Sequence, residues 1–361
     1  MKFIHIADVH LGATPDSNYP WGKLRQKEIY DTFYKVISHC NEQYVDLLLI
    51  AGDLFHKQPS IRELKELNYM FEKLENTKVV LIAGNHDYIG AKSNYTNFAW
   101  CDHVYFLEDE AIDSIYIEEI NTEVYGFSYH TRDVLSSKVD SICPGVEERI
   151  NILLTHGGDD RNQPFDKKAL LKSEFDYIAL GHIHKPEGLS NRMFYPGSLE
   201  PLDKSELGDH GYILGEIFKN DETAEGHAPS SSIKTTFVRI ACREYIKLEL
   251  QITPNTTNGA LADQIREAIC NCGENNIYRF VLCGKRDDDI LFDYDALKEL
   301  GNIIEIEDTT LPDYNFIQLR DDNSNNIVGL YIERILQQEV NDKLKEKALY
   351  LGIESLLKAR E

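Results

Sequence analysis

The sequence has no apolar run near the ~18 residues that a membrane-crossing helix requires, no internal repeat and no low-complexity tract. It lacks a basic stretch as well: 61 acidic residues face 38 Lys and Arg, giving a formal net charge of −23. A polyanion approaching the average surface is repelled over a Debye length of ~10 Å. This counts against a nucleic-acid partner for the average surface. Cysteine is sparse, and the seven present (Cys40, Cys101, Cys143, Cys242, Cys270, Cys272 and Cys283) stand at irregular spacing. They cannot all pair within one chain, which points to a reducing compartment. Cys270-x-Cys272 has a spacing that suits a soft metal, but both read as free thiols. Met1 leads within two residues into FIHIA, which reads as structure rather than a cleavable leader, so a cytoplasmic location is expected.

What is present is ordinary globular material: 42% hydrophobic and 27% charged residues exclude disorder as the main theme. At 361 residues the chain exceeds the ~250–300 at which single cores stop growing, so more than one domain is expected. Five short apolar runs, FIHIA (3–7), LLLIA (47–51), VVLIA (79–83), INILL (150–154) and YIAL (177–180), lack polar alternation. They read as sheet strands buried on both faces under helices. Between the first two, Leu24, Ile29, Phe33, Val36 and Ile37 recur at helical spacing; between the second and third, Ile61, Leu64, Leu67, Phe71 and Leu74 do the same. Ser60 and Glu63 have the spacing of a capping box. The order β-α-β-α-β predicts an α/β layered domain.

From about residue 193 the texture turns to strand-like pieces, RMFYPGS, GYILGEIF and TTFVRIA, the last two flanking a polar stretch at 219–232 that reads as a long hairpin loop. A helix at 257–271, a strand at 278–283, a helix near 294–300 and a strand at IIEI predict a small α+β domain. Residues 326–361 are helical in composition, either covering the chain's own core or offering a partner-docking helix.

Each apolar run ends at a residue able to bind metal: Asp8 and His10, then Asp53, Asn85, His156, and last His182 with His184. In α/β sheets ligands bind beyond the carboxyl ends of the strands, where these residues stand. Two divalent ions that share one carboxylate and take four protein ligands each need seven donors, and these are seven. Imidazole, carboxylate and amide oxygen without thiolate suit Mn, Fe or Zn better than a soft-metal or calcium site. Singly, Asp8 also fits a turn cap and His156 a hydrogen-bonded core histidine. GHIH (181–184) is more specific, since two histidines two apart on a glycine turn reach neighbouring metals. The order of the whole set carries the reading.

D-x-H, GD, GNHD, H and GHxH in this order resemble the calcineurin-like metallophosphoesterases. More narrowly, DVHLG (8–12), GDLFHKQPS (52–60), THGG (155–158), GHIHKP (181–186) and YPGSLEPLD (195–203) are similar to DNA repair exonucleases of the SbcD type, including their YhaO-like relatives. The resemblance covers about residues 1–245 and is weaker beyond. It implies a layered α/β β-sandwich flanked by helices over 1–245, a small α+β capping domain over 246–322 and a C-terminal helical segment over 323–361.

It also implies a site. Asp8, His10, Asp53 and His184 would hold one ion and Asp53, Asn85, His156 and His182 the other, with Mn2+ the expected metal and Fe2+, Zn2+ or Mg2+ the alternatives. Together the ions would activate a hydroxide for in-line attack on a phosphodiester. Asn85 adds an oxygen without adding negative charge. His86 would stabilise the transferring phosphoryl group or protonate the leaving oxygen, with Asp87 orienting its ring or, more simply, capping the turn. His56 would place the DNA strand, or else serve as a supporting histidine. His5, His39, His103, His130, His210 and His227 lack a motif and read as structural or exposed.

The implied function is a 3′-to-5′ DNA exonuclease, with some endonuclease activity, acting as a dimer with an SbcC-like ABC-type ATPase that the C-terminal helices contact. Residues 60–76 and 95–102 are the implied dimer face. A phosphodiesterase or phosphatase of small nucleotides shares the same metal motifs, and a silent scaffold for the ATPase is the third reading, disfavoured by the intact donor set.

Overall fold

The computed structural model describes residues 1–220 and 230–358. The polar stretch expected as a hairpin loop falls mostly on 221–229, and His227 with it, outside the described residues. The described residues group into two compact units, Met1–Ile246 and Lys247–Glu361.

The first unit is built on two six-stranded sheets. One runs in the order β12-β11-β1-β2-β3-β4, with β1 (Lys2–Ile6), β2 (Leu47–Ala51), β3 (Lys78–Ile82), β4 (Val104–Phe106), β11 (Gly211–Asn220) and β12 (Ser230–Arg239). The other runs β5-β6-β7-β8-β10-β9, with β5 (Asp113–Ile117), β6 (Thr122–Gly126), β7 (Ile150–His156), β8 (Tyr177–Gly181), β9 (Glu187–Gly188) and β10 (Met193–Tyr195). Strands β1 to β4 pair in parallel, as do β6 to β8, while β11 joins β1 antiparallel.

The apolar runs are uninterrupted because each strand is covered on both sides, and the period of two sorts their side chains. Ile4, Ile6, Leu48, Ile50, Val79 and Leu81 pack with helices α1 (Gly22–Glu42) and α2 (Ile61–Phe71). Phe3, Leu47, Leu49, Ala51, Val80 and Ile82 face the second sheet and meet Ile152, Leu154, Tyr177 and Ala179. The expectation of helix cover on both faces thus holds for one face only; INILL and YIAL supply the other sheet of the sandwich. His5, fully buried in β1, bridges the sheets: its Nδ1 accepts from Tyr177 Oη at 2.9 Å and its Nε2–H donates to the Leu180 carbonyl at 3.1 Å.

The Ser60–Glu63 capping box is formed at the start of α2, with Glu63 N donating to Ser60 Oγ and Ser60 N to Glu63 Oε2. On α1 the core stripe includes Ile29, Phe33, Val36 and Ile37, but Leu24 lies exposed and Arg25 is buried in its stead. Arg25 is tolerated there because its guanidinium meets Glu28, Glu200 and the Pro201 carbonyl.

Helix α3 (Lys167–Lys172) lies between β7 and β8 in sequence, and the second unit carries β13 (Tyr245–Ile252), β14 (Ile277–Arg286), β15 (Ile303–Asp308) and β16 (Leu311–Pro312), with α4 (Asn258–Cys272) and α5 (Tyr294–Lys298). Helices α6 (Phe316–Asp322), α7 (Ile327–Leu336) and α8 (Asp342–Lys358) close a small apolar cluster around Val328, Ile332, Leu349 and Ile353. Cys270 and Cys272 are free and exposed on α4, two apart, a spacing at which helical side chains do not face each other. Among the described residues no helix is long and apolar enough to cross a membrane.

Candidate metal centre

Because the sheets pack face to face, the carboxyl ends of β1, β2 and β3 meet those of β7 and β8, and the seven expected donors gather there. Asp8 and His10 follow β1, Asp53 follows β2, Asn85 follows β3, His156 ends β7, and His182 and His184 follow β8. His156 Nε2 lies 2.9 Å from Asn85 Oδ1 and 3.4 Å from Asp53 Oδ2. His182 Nδ1 lies 3.2 Å from the same Asn85 oxygen. On the other side His10 Nε2 lies 3.1 Å from His184 Nε2 and 3.8 Å from Asp53 Oδ2, and His184 Nε2 lies 3.9 Å from Asp8 Oδ1. Donor atoms of Asp8, His10 and His184 fall within 4.8 Å of one another, as do those of Asp8, Asp53 and His156. Asp53 Oδ2 therefore stands between the two groups, while its Oδ1 accepts the His86 N–H at 2.8 Å.

Backbone strain marks the same place. Asp8, His10 and Asp53 adopt left-handed φ values of 51°, 52° and 49°, and His182 has φ 94°. Non-glycine residues in this region cost about 1–3 kcal/mol each and persist where their surroundings fix them. Gly84 leaves room: a Cβ there would run into Asp53 Oδ1.

Three of the four central imidazoles share one arrangement. His156 Nδ1 faces the Ala51 carbonyl at 2.8 Å, His182 Nε2 faces Asp159 Oδ2 at 2.7 Å, His184 Nδ1 faces Glu206 Oε1 at 2.8 Å, and His10 Nδ1 faces His56 Nδ1 at 3.4 Å. In the rings of His156, His182 and His184 the outer nitrogen meets an oxygen acceptor and carries an N–H, so the inner nitrogen is the one turned to the centre. Two inner nitrogens, of His10 and His184, confront each other at 3.1 Å, a contact that needs a cation or a proton between them. Divalent ions fit this donor set.

The electrostatics agree. Burial alone would lower His156 and His184, yet Asp53 and Asp8 around the first, and Glu206 and Asp8 around the second, raise both to about 9. The buried carboxylates thus draw positive charge into the pocket. Asp53, despite burial, is held low by His156 and His10; burial raises Asp8, whose nearest imidazole is farther away. Burial likewise lowers His10 and His182.

His86 and His56 line the outer rim, their rings 4.7 and 5.4 Å from that of His10. The expected orientation of His86 by Asp87 is not what the structure has. Asp87 points inward and accepts from Gly84 N at 2.8 Å, Phe55 N at 3.1 Å and Tyr95 Oη at 2.9 Å, so its carboxylate is used up in holding the turn. The His86 ring has Nδ1 3.0 Å from the His56 carbonyl, and ring nitrogens of His10, His56 and His86 come within 4.8 Å of one another. Asp159 and Glu206 are the residues that sequence reasoning missed. The motif-less histidines have local partners: His39 meets Tyr212, His103 the Phe71 carbonyl, His130 the Glu108 carbonyl and His210 Ser198.

Comparison with known proteins agrees with this geometry. The calcineurin-like phosphoesterase family model matches residues 1–186. The uncharacterized metallophosphoesterase YhaO of Bacillus subtilis is 30% identical over 245 residues, covering 62% of this chain and 59% of that protein. The DNA double-strand break repair protein Mre11 of Methanocaldococcus jannaschii is 30% identical over 273 residues, 70% of each chain. The Mre11 of Archaeoglobus fulgidus is 27% identical over 280 residues, 70% of this chain and 62% of that protein. The chain spans about three fifths of the length of the Bacillus and Archaeoglobus relatives. With the family model covering more than half of its length and the donor set in place, the chain belongs to the calcineurin-like phosphoesterases, metal-dependent hydrolases of phosphoester bonds, and is homologous to YhaO and the Mre11 proteins.

Proposed function

We propose that this chain is a DNA exonuclease of the SbcD type, acting 3′ to 5′ with some endonuclease activity, and that Mn2+ is its metal. One observation carries the reading: Asp53 lies between two groups of donors, and the imidazoles of His156, His182 and His184 each have their outer nitrogen tied to an oxygen acceptor. In our assignment Asp8, His10, Asp53 and His184 hold one ion and Asp53, Asn85, His156 and His182 the second. When bound, such a pair of ions supplies Lewis acidity toward a phosphodiester and lowers the pKa of water toward neutrality.

The chain's own residues do the rest. Asn85 contributes an oxygen while sparing an incoming phosphate a further negative charge. His86, anchored through Nδ1 at the His56 carbonyl, has its Nε2 left to hold a proton for the leaving oxygen or to meet charge on the phosphoryl oxygens. His56, exposed beside it, is the residue we assign to guiding the strand. The domain roles follow the same reading: nuclease over 1–245, a capping domain over 246–322 and a helical segment over 323–361. The latter exposes Ile327, Leu330, Leu344 and Leu351, the side chains we assign to an SbcC-like ATPase. Ile61 and Tyr69 on α2, 42% and 58% exposed, belong to the face we assign to a homodimer. Seven free cysteines support a cytoplasmic setting.

The net charge of −23 favours a second reading, hydrolysis of small nucleotides, because DNA affinity normally rests on Lys and Arg at phosphates. Rates on end-labelled duplex DNA, cyclic nucleotides and bis-p-nitrophenyl phosphate with Mn2+ separate the two. The nuclease reading expects labelled ends to be released by the chain or by its complex with the ATPase. Turnover of cyclic nucleotides with DNA left intact in both settings contradicts it.

A further inference from the structure

The YPGSLEPLD motif stands apart from the donors, yet the segment it opens closes on one of them twice. Ser198 N donates to the His184 carbonyl at 3.0 Å, fixing the backbone, and Glu206 Oε1 accepts the His184 Nδ1–H at 2.8 Å, fixing the ring. The second oxygen of Glu206 is itself held, by Leu202 N at 2.8 Å and Ser198 Oγ at 3.5 Å. A few residues earlier Glu200, 1% exposed, ties the segment down: its Oε1 accepts from Thr32 Oγ1 of α1 at 2.6 Å and from Cys242 N at 2.6 Å. Gly197 enters with φ 77°, and a Cβ there would lie close against the His184 carbonyl.

We propose that Glu206 is a positioning residue for His184, and that the segment Gly197–His210 is the device that carries it to the centre. A neutral imidazole has a single N–H. By taking that proton at Nδ1, Glu206 leaves the Nε2 lone pair aimed at Asp8 and His10, and a carboxylate acceptor makes the ring a stronger donor to a cation. His182, two residues away, shows why the choice needs a dedicated partner: it is tied through the opposite nitrogen, Nε2, by Asp159, and turns Nδ1 inward. Without Glu206 the other contacts of the His184 ring among the described residues, His10 Nε2 at 3.1 Å and Asp8 Oδ1 at 3.9 Å, both lie at Nε2 and would draw the N–H to the inward nitrogen. The two ion positions are thereby served by two separate carboxylates, Glu206 on the side of Asp8 and Asp159 on the side of Asn85.

This inference rests on the two-ion reading, and it is tested on ion binding rather than turnover. The full chain, Glu206→Leu and Glu206→Gln are titrated with Mn2+ by calorimetry, with bound ions counted by electron paramagnetic resonance. Glu206→Leu is expected to weaken one ion on the order of 10–100-fold and spare the other. Glu206→Gln keeps an acceptor oxygen and is expected to recover most of that loss. In Zn2+-loaded protein with 15N-labelled histidine, His184 is expected to carry its proton on Nδ1, a signal lost in Glu206→Leu. Unchanged binding of both ions by Glu206→Leu overturns the proposal. Should that variant not fold, the wild-type spectrum still decides, since a His184 proton on Nε2 also overturns it. A wild-type chain that binds two ions but cleaves no DNA, alone or in complex with the ATPase, contradicts the proposed nuclease function and leaves the Glu206 result standing, whereas no Mn2+ uptake at all overturns both.

Discussion

His182 and His184, two residues apart on one turn, are tied through opposite ring nitrogens: His182 by Nε2 to Asp159, His184 by Nδ1 to Glu206. The free nitrogens then face different neighbours, Asn85 for His182 and His10 for His184. A single turn of chain thus serves both donor groups. The alternation places the rings on different sides, and the outer carboxylates decide which nitrogen each ring shows.

The first prediction concerns the residue above the centre. His86 stands outside the two assigned donor groups, and its backbone N–H donates to Asp53 Oδ1. In the proposed mechanism His86→Ala removes a proton donor and leaves the ions in place. Turnover on DNA is expected to fall on the order of 10²–10⁴-fold, with Mn2+ content by mass spectrometry unchanged. Wild-type turnover in this variant contradicts the role.

Asp87 behaves differently from its neighbour in sequence. It accepts from Gly84, Phe55 and Tyr95, all buried, so Asp87→Ala strands these donors. A buried unpaired group costs about 1–3 kcal/mol, and the thermal midpoint of the first unit is expected to drop by several degrees. A variant with an unshifted midpoint and altered catalysis only would restore the orienting role that the geometry denies.

Acid sensitivity follows from His5. Burial lowers its pKa from 6.5 to about 3. Between those values the unfolded chain binds a proton there and the folded chain does not, so stability falls as pH falls from about 6.5 toward about 3. The slope from this one group approaches about 1.4 kcal/mol per pH unit. Urea midpoints of wild type and His5→Gln between pH 7 and 4.5 are expected to diverge, the variant losing less stability with acid. Parallel curves contradict the assignment.

At the start of α2, Ser60→Ala removes the hydroxyl that accepts the Glu63 N–H. The expected cost is about 1 kcal/mol, read as a lower urea midpoint at constant m-value. A cost near zero indicates that the exposed end of α2 contributes nothing to cooperative unfolding.

Much of this was legible in the residues. Leu47–Ala51 is apolar throughout because α1 and α2 cover one side and the second sheet the other, and such a run reads as a doubly buried strand. The donors were legible because each ends or follows a strand and only a handful of residue types bind metal. That Ile150–His156 and Tyr177–Gly181 form a separate sheet was not, since an apolar run records burial and not what buries it. Asp159 and Glu206 left no signal: an imidazole N–H takes its acceptor from wherever the fold brings one, at no fixed spacing. The left-handed backbone at Asp8, His10 and Asp53 was hidden as well, because no glycine marks it. Asp87 misled for a related reason, as adjacency in sequence says nothing about which way a carboxylate turns when three buried donors await it.

The most direct measurement is anomalous scattering from crystals soaked in Mn2+, with data on both sides of the manganese edge. Two peaks are expected, with Asp53 in contact with both, His10 and His184 at one, and Asn85, His156 and His182 at the other. A single peak, or two peaks that do not share the Asp53 carboxylate, would contradict the account at its centre.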